Sequence, residues 1–185
     1  MNTYSKILTA LIVSFVFIIS SCTKDGGIIV EGCTDSSAMN YNVNATSNDG
    51  SCVYAYDIAQ GTWNITPNCE DINLPIIGPI SLDTILPESI DVQGAGNGSL
   101  FIDINGAQIS GDIDNSGNIT VAEQTVSIDL GYLGLGIPIP VQISGLGKIE
   151  SENSGYMDLT FSGEIDLIPG FPASFNSTCH IILSK

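Results

Sequence analysis

The chain has 185 residues, of which 20 are acidic and four are lysine, with no arginine, for a formal charge of −16. That acidic excess repels phosphate backbones and anionic membrane surfaces, so no nucleic-acid partner is expected. With 43% hydrophobic and only 13% charged residues, the composition supports a packed core rather than a disordered acidic tail.

The first segment reads as an address. Lys6 precedes an apolar run from Ile7 to Ile19, which is too short for the ~20 residues a membrane span needs, and the small residues Ser20 and Ser21 follow. This is the pattern of a secretory signal with Cys22 at the cleavage point. Ile19-Ser20-Ser21-Cys22 resembles a bacterial lipobox, the Cys of which is acylated and becomes the new N-terminus. The resemblance implies a signal peptide at 1–21, a tether at 22–31 lipidated on Cys22, and membrane contact through N-terminal acyl chains. The expected location is the cell envelope, at the outer membrane.

Four cysteines remain, an even number suited to two disulfides in an oxidising compartment. They allow three pairings; Cys33 with Cys52 and Cys69 with Cys179 is the one that respects an apparent module boundary near residue 55. Residues 32–54, GCTDSSAMNYNVNATSNDGSCVY, form the small module. The pattern GCTD, A-x-NYN, A and DGSC resembles a short Cys-bounded, Asp/Asn-rich module that recurs in secreted and surface proteins of the Bacteroidota, a resemblance that brings no activity. Such a segment buries little apolar surface and needs its disulfide. Its Asp35 and Asp49 are suited either to capping turns or to offering oxygens to calcium.

Residues 59–185 read as strands. Apolar and polar residues alternate over 100–104, 109–113, 119–121 and 126–130, and turn chemistry separates these runs: GAGNG at 94–98, NG at 105–106, DNSGN at 114–118 and ENSG at 152–155. No stretch sustains a helical period. The spacing predicts an all-β domain of about eight strands, near 60–67, 81–93, 98–104, 107–114, 118–129, 139–149, 155–167 and 173–184.

A single antiparallel up-and-down β-barrel is the economical closure because it leaves no exposed edge, with a two-sheet sandwich as the alternative. The Cys69–Cys179 pairing agrees with a barrel, in which the first and last strands are neighbours. Gly61-Thr62-Trp63, GNITVAEQTV at 117–126, SGLGK at 144–148 and the Thr178-Cys179 ending closed by Lys185 resemble a lipocalin-like domain common in Bacteroidota lipoproteins.

In an up-and-down barrel, alternate loops share an end. The polar turns 94–98, 114–118 and 152–155 fall at one end, with the tether and the Cys-bounded module. The uncharged, Gly- and Pro-rich loops 74–80, 130–140 and 167–172 fall at the other. Leu74, Ile77, Tyr132, Leu135, Ile137, Ile168 and Phe171 are therefore candidates for an apolar rim that takes a small molecule or a protein partner. The same loops could instead fold inward and plug the barrel.

Asp112 to Glu123 fits the calcium-loop spacing of an EF-hand through Asp112, Asp114 and Glu123. Both flanks alternate like strands, however, so turn chemistry explains the same letters. No cofactor is expected beyond possible calcium. Catalytic signals are thin: the one histidine, His180, adjoins a paired cysteine, and the close carboxylates Glu150 and Glu152 fit a solvated acidic turn. The expectation is a non-enzymatic, lipid-anchored barrel that binds an apolar molecule or a partner protein. The alternative is a solid structural or adhesive barrel with a calcium-stabilised module.

Overall fold

The computed structural model describes residues 27–74, 78–104, 106–129, 138–168 and 171–185, with the backbone alone at 129, 167, 168 and 171. Eight strands form a single closed antiparallel barrel: β3 (Gly61–Cys69), β6 (Ser89–Gly96), β7 (Ser99–Ile104), β8 (Ala107–Ile113), β9 (Asn118–Asp129), β10 (Pro138–Ser151), β11 (Ser154–Ile168) and β12 (Phe171–Ser184). Each strand pairs with the next. The ring closes where β12 pairs with β3, from Cys179 opposite Cys69 to Ser184 opposite Asn64. One closed sheet rules out the sandwich.

Period-two patterning decides which side chains enter the barrel. Trp63 and Ile65, Leu100, Ile109 and Ile113, Ile139, Val141 and Ile143, Phe161 and Ile165, and Ile181 and Leu183 are all buried and belong to one cluster. On β9 the phase changes. Ile119 and Val121 point inward, and so does Val126, an odd number of residues further on. A bulge resolves the mismatch: Val121 lies opposite Gly145 and Gln124 opposite Ile143, so Ala122 and Glu123 together face Ser144. Outward positions such as Asn64, Gln142 and Thr120 are exposed. Apolar inside and polar outside is the reverse of a lipid-facing barrel. No helix among the described residues is long and apolar enough to cross a membrane.

The two ends differ. At the lower end lie the turns 96–99, 113–118 and 151–154 and the C-terminus. A one-turn helix, α1 (Ala55–Ala59), packs beneath them with Ala55 and Ala59 buried. Gly117, at φ +83°, closes the β8–β9 turn in a backbone region L side chains avoid, and a Cβ there would also run into the Ile149 carbonyl. At the upper end the chain between β3 and β6 makes a hairpin, β4 (Ile72–Leu74) with β5 (Gly78–Ile80), and then a 3-10 turn at Leu82–Thr84.

Three features depart from the reading of the sequence. The stretch 81–93 is not one strand: β6 begins only at Ser89, because Pro87 offers no N–H to a ladder and Leu82, Ile85 and Leu86 turn inward onto the core instead. The helix α1 was not foreseen, one turn being too short to imprint a period. The β4–β5 hairpin occupies part of what reads as a loop.

Both disulfides join the expected cysteines, Cys33 to Cys52 and Cys69 to Cys179. The Cys-bounded module, which contains a short parallel pair, β1 (Glu31–Gly32) with β2 (Ser47–Asn48), precedes α1. Its Met39 packs against the barrel core, beside Gly117 at the lower end.

Candidate functional site

The lower end is sealed by contacts that converge on Trp63, which is fully buried. Its indole Nε1 donates to the Ala59 carbonyl at 2.7 Å, tying the barrel floor to the end of α1. The C-terminal Lys185 crosses back over it. Its Nζ stands 4.4 Å from the ring centroid and donates to the carbonyls of Ile58 and Gln60 at 2.6 and 2.7 Å. Burial of the ammonium pulls its pKa below the ordinary lysine value, against the opposing field of Glu152. Tyr56, on α1, lies where Gly94 has no side chain, and its hydroxyl accepts the Gly96 N–H at 2.7 Å.

Above this floor the barrel is hollow. A lower cavity of about 110 Å³ is bounded by Trp63, Ile65, Val92, Leu100, Ile149 and Leu183 among others. An upper cavity of about 190 Å³ lies among Ile72, Leu74, Ile80, Ile85, Val126, Ile143 and Phe175. The two share Leu86, Ile104, Ile109 and Phe161 as a waist. Among the described residues no charged side chain lines either lobe. The hydroxyl-bearing residues on the described lining are Thr84, Ser110 and Ser127. Ser177, the one buried polar residue among those described, is satisfied by donating to the Glu70 carbonyl at 2.6 Å. A void so apolar stays dry and favours apolar occupants; engineered cavities of about 150 Å³ take up benzene.

The candidate rim residues are distributed unevenly. Leu74, expected on an exposed rim, is 3% exposed and belongs to the core cluster with Ile72 and Ile80. The hairpin therefore folds inward there, as the plugging alternative has it, because three apolar residues on one face of a two-strand ribbon gain by covering the barrel mouth. Ile168 and Phe171 are backbone partners at the end of the β11–β12 ladder. Ile77, Tyr132, Leu135 and Ile137 lie outside the described residues, as does Cys22.

The calcium candidates serve as turn acceptors. Asp114 Oδ1 accepts the N–H groups of Ser116 and Asn118 at 2.8 and 2.9 Å, and its Oδ2 accepts Asn118 Nδ2 at 2.8 Å. Asp112 Oδ1 accepts the Ser99 hydroxyl at 2.7 Å, while Glu123 is exposed in the β9 bulge. The turn does not bring these three together. In the module, Asp35 accepts the Ser37 N–H and the Tyr54 hydroxyl, both at 2.8 Å, and Asp49 accepts the Ser51 N–H at 2.9 Å. These bonds hold three carboxyls below the ordinary aspartate pKa: Asp35 chiefly through the Ser37 N–H, Asp49 through Ser51 and Asp114 through Asn118. Among the described residues the one cluster of three potential metal ligands is Cys69, Asp83 and Cys179. It is already spent, since the sulfurs are joined and Asp83 accepts the Cys69 N–H at 2.9 Å.

His180 faces outward on β12 and shares a 2.6 Å hydrogen bond with Asp158 across the β11–β12 ladder, both side chains about half exposed. Among the described residues no hydroxyl hydrogen-bonds the ring. The sequence flagged this histidine; the dyad itself depends on a cross-strand register that sequence spacing does not reveal.

The class defined here is a closed eight-stranded antiparallel β-barrel with an apolar interior, an architecture compatible with a binding or a structural role. No protein-family model matches the chain, and no curated protein does. Among solved structures it is similar to a redesigned beta barrel, at 16% identity and a TM-score of 0.38 over 71% of this chain and 95% of that one. That likeness is too loose to bear on function.

Proposed function

We propose that this is a non-enzymatic, lipid-anchored cell-envelope protein whose barrel holds a small apolar molecule. The observation that carries the reading is the two-lobed interior, bounded by apolar side chains and closed below by α1, Trp63 and Lys185. A barrel evolved only as a spacer gains nothing from voids, each of which forfeits packing energy. The waist at Leu86, Ile104, Ile109 and Phe161 lets a slender chain thread both lobes once side chains shift rotamer. The lipocalin-like resemblance fits the same reading: Lys185 covers Trp63 much as a late arginine commonly covers the tryptophan of a lipocalin G-x-W. Anchoring rests on the lipobox-like Ile19-Ser20-Ser21-Cys22. The Cys-bounded module lies at the lower end, opposite the upper lobe.

Native mass spectrometry of the full chain, expressed in an exporting bacterial host and compared with a denatured spectrum, tests both halves. Acyl mass on Cys22 and an adduct lost on denaturation are the expected result. An unmodified Cys22 sinks the anchor. Absence of any adduct, with no uptake of added apolar probes, sinks the ligand.

A further inference from the structure

We infer that the upper lobe discriminates by charge, accepting uncharged hydrocarbon-rich molecules and rejecting anionic amphiphiles such as fatty carboxylates. This rests on the ligand-holding reading above and specifies its ligand class. Between Asp25 and Lys185 the only lysine or arginine in the chain is Lys148. Lys148 lies opposite Asn118 at the lower end of β10, and Lys185 is engaged beneath Trp63. His180 faces outward and already has Asp158 as its partner. Among the described residues no basic group therefore stands at the upper mouth.

The charges that do lie towards that end are acidic. Glu70 and Asp71 follow β3, Asp83 lies in the 3-10 turn, Asp103 is the penultimate residue of β7 and exposed Asp166 is near the end of β11. A bound carboxylate would sit either inside an uncharged cavity whose described lining offers only a few hydroxyls or among these like charges. Both situations are costly, the first by desolvation and the second by repulsion. A neutral molecule meets neither cost. Thr84, exposed at its edge and already donating to the Ser81 carbonyl, keeps acceptor lone pairs for an alcohol.

The test is titration of the purified full-length protein with octan-1-ol and octanoate near neutral pH. It is followed by calorimetry and by the fluorescence of Trp63, the only tryptophan. Octanol is expected to bind at least about tenfold more tightly, with the gap narrowing at mildly acid pH as octanoate takes up a proton. Asp71→Lys, which puts a cation in place of an exposed carboxylate towards the upper end and off the lining, should raise octanoate affinity while leaving octanol within about twofold. Equal affinities, or no gain in the lysine variant, overturn the charge discrimination and leave the ligand-holding reading intact. If neither compound binds, that underlying reading fails and takes this inference with it.

Discussion

The side-chain amide of Gln124 pairs with the backbone of Ser110 as though it were a residue of the neighbouring strand. Its Oε1 accepts the Ser110 N–H at 3.0 Å and its Nε2 donates to the Ser110 carbonyl at 2.7 Å. The substitution matters because the β8–β9 ladder contains only two residue pairs, Asp112 with Thr120 and Ile113 with Ile119, although both strands run on past them. The bulge at Ala122 and Glu123 carries β9 out of register at that level. Gln124 thus stitches the barrel seam with the fewest paired residues.

Gln124→Ala should accordingly open that seam first. Hydrogen exchange is expected to accelerate at Ser110 and its neighbours on β8 and β9, with a global loss of about 1 kcal/mol for two hydrogen bonds at an exposed site. Uniform acceleration around the whole barrel would show that the seam is no weaker than its neighbours.

Lys185→Ala removes the cation above Trp63 and two bonds to the end of α1. Denaturant unfolding should register a loss of about 1 kcal/mol, and the emission of the single tryptophan should shift as water reaches the floor. Lys185→Arg, which keeps the charge and the donors, should recover most of it. An unchanged spectrum in the alanine variant would mean that α1 alone seals the lower end.

The two disulfides should separate in scale and in place. Cys69–Cys179 closes a separation of 110 residues and ties the first barrel strand to the last, whereas Cys33–Cys52 closes 19 within the module. Chain-entropy reasoning assigns roughly 4 to 5 kcal/mol to the long loop and about 3 to the short one. Thermal unfolding of Cys69→Ser/Cys179→Ser should show a large drop in barrel Tm. In Cys33→Ser/Cys52→Ser, exchange should rise in residues 32–54 while the barrel transition moves little. Equal barrel destabilisation by both pairs would indicate that module and barrel unfold as one unit.

Acid should destabilise the protein in a defined window. Asp35, Asp49 and Asp114 titrate below the ordinary aspartate value of 3.8 because their turn hydrogen bonds favour the ionised form. Groups with folded pKa values depressed in this way contribute stability that is complete above 3.8 and is lost as pH falls through the depressed values. Tm is therefore expected to hold from neutral pH down to about pH 4 and to decline below it. Asp114→Asn should flatten part of that decline, and a Tm already falling well above pH 4 would point to other groups.

Much of the barrel was legible because period-two alternation records a buried face directly. Leu100 to Ile104, Ile109 to Ile113 and Val126 onward lie on the strands expected of them, and the polar turns at 114–118 and 152–155 lie where strands reverse. The cysteine pairing followed instead from the module boundary near residue 55. Residues 70–88 were harder to read. Apolar letters in Leu74, Ile80 and Leu86 serve equally for an exposed rim or an inward plug, since hydropathy states that a residue avoids water without stating what covers it. The lining of the cavity has the same ambiguity, because an inward-facing residue reads alike in a packed and in a hollow barrel.

What the sequence determined by itself was the acidic, nearly cation-free character of the chain, its strands and its disulfides, for these depend on residue type and local spacing. What only the tertiary structure decided was the contacts made across the barrel: Lys185 over Trp63, Gln124 at the Ser110 seam, His180 beside Asp158, and the two lobes left unfilled between opposing strands. Each depends on register and closure, which arise from packing among residues far apart in the chain and leave no local signature.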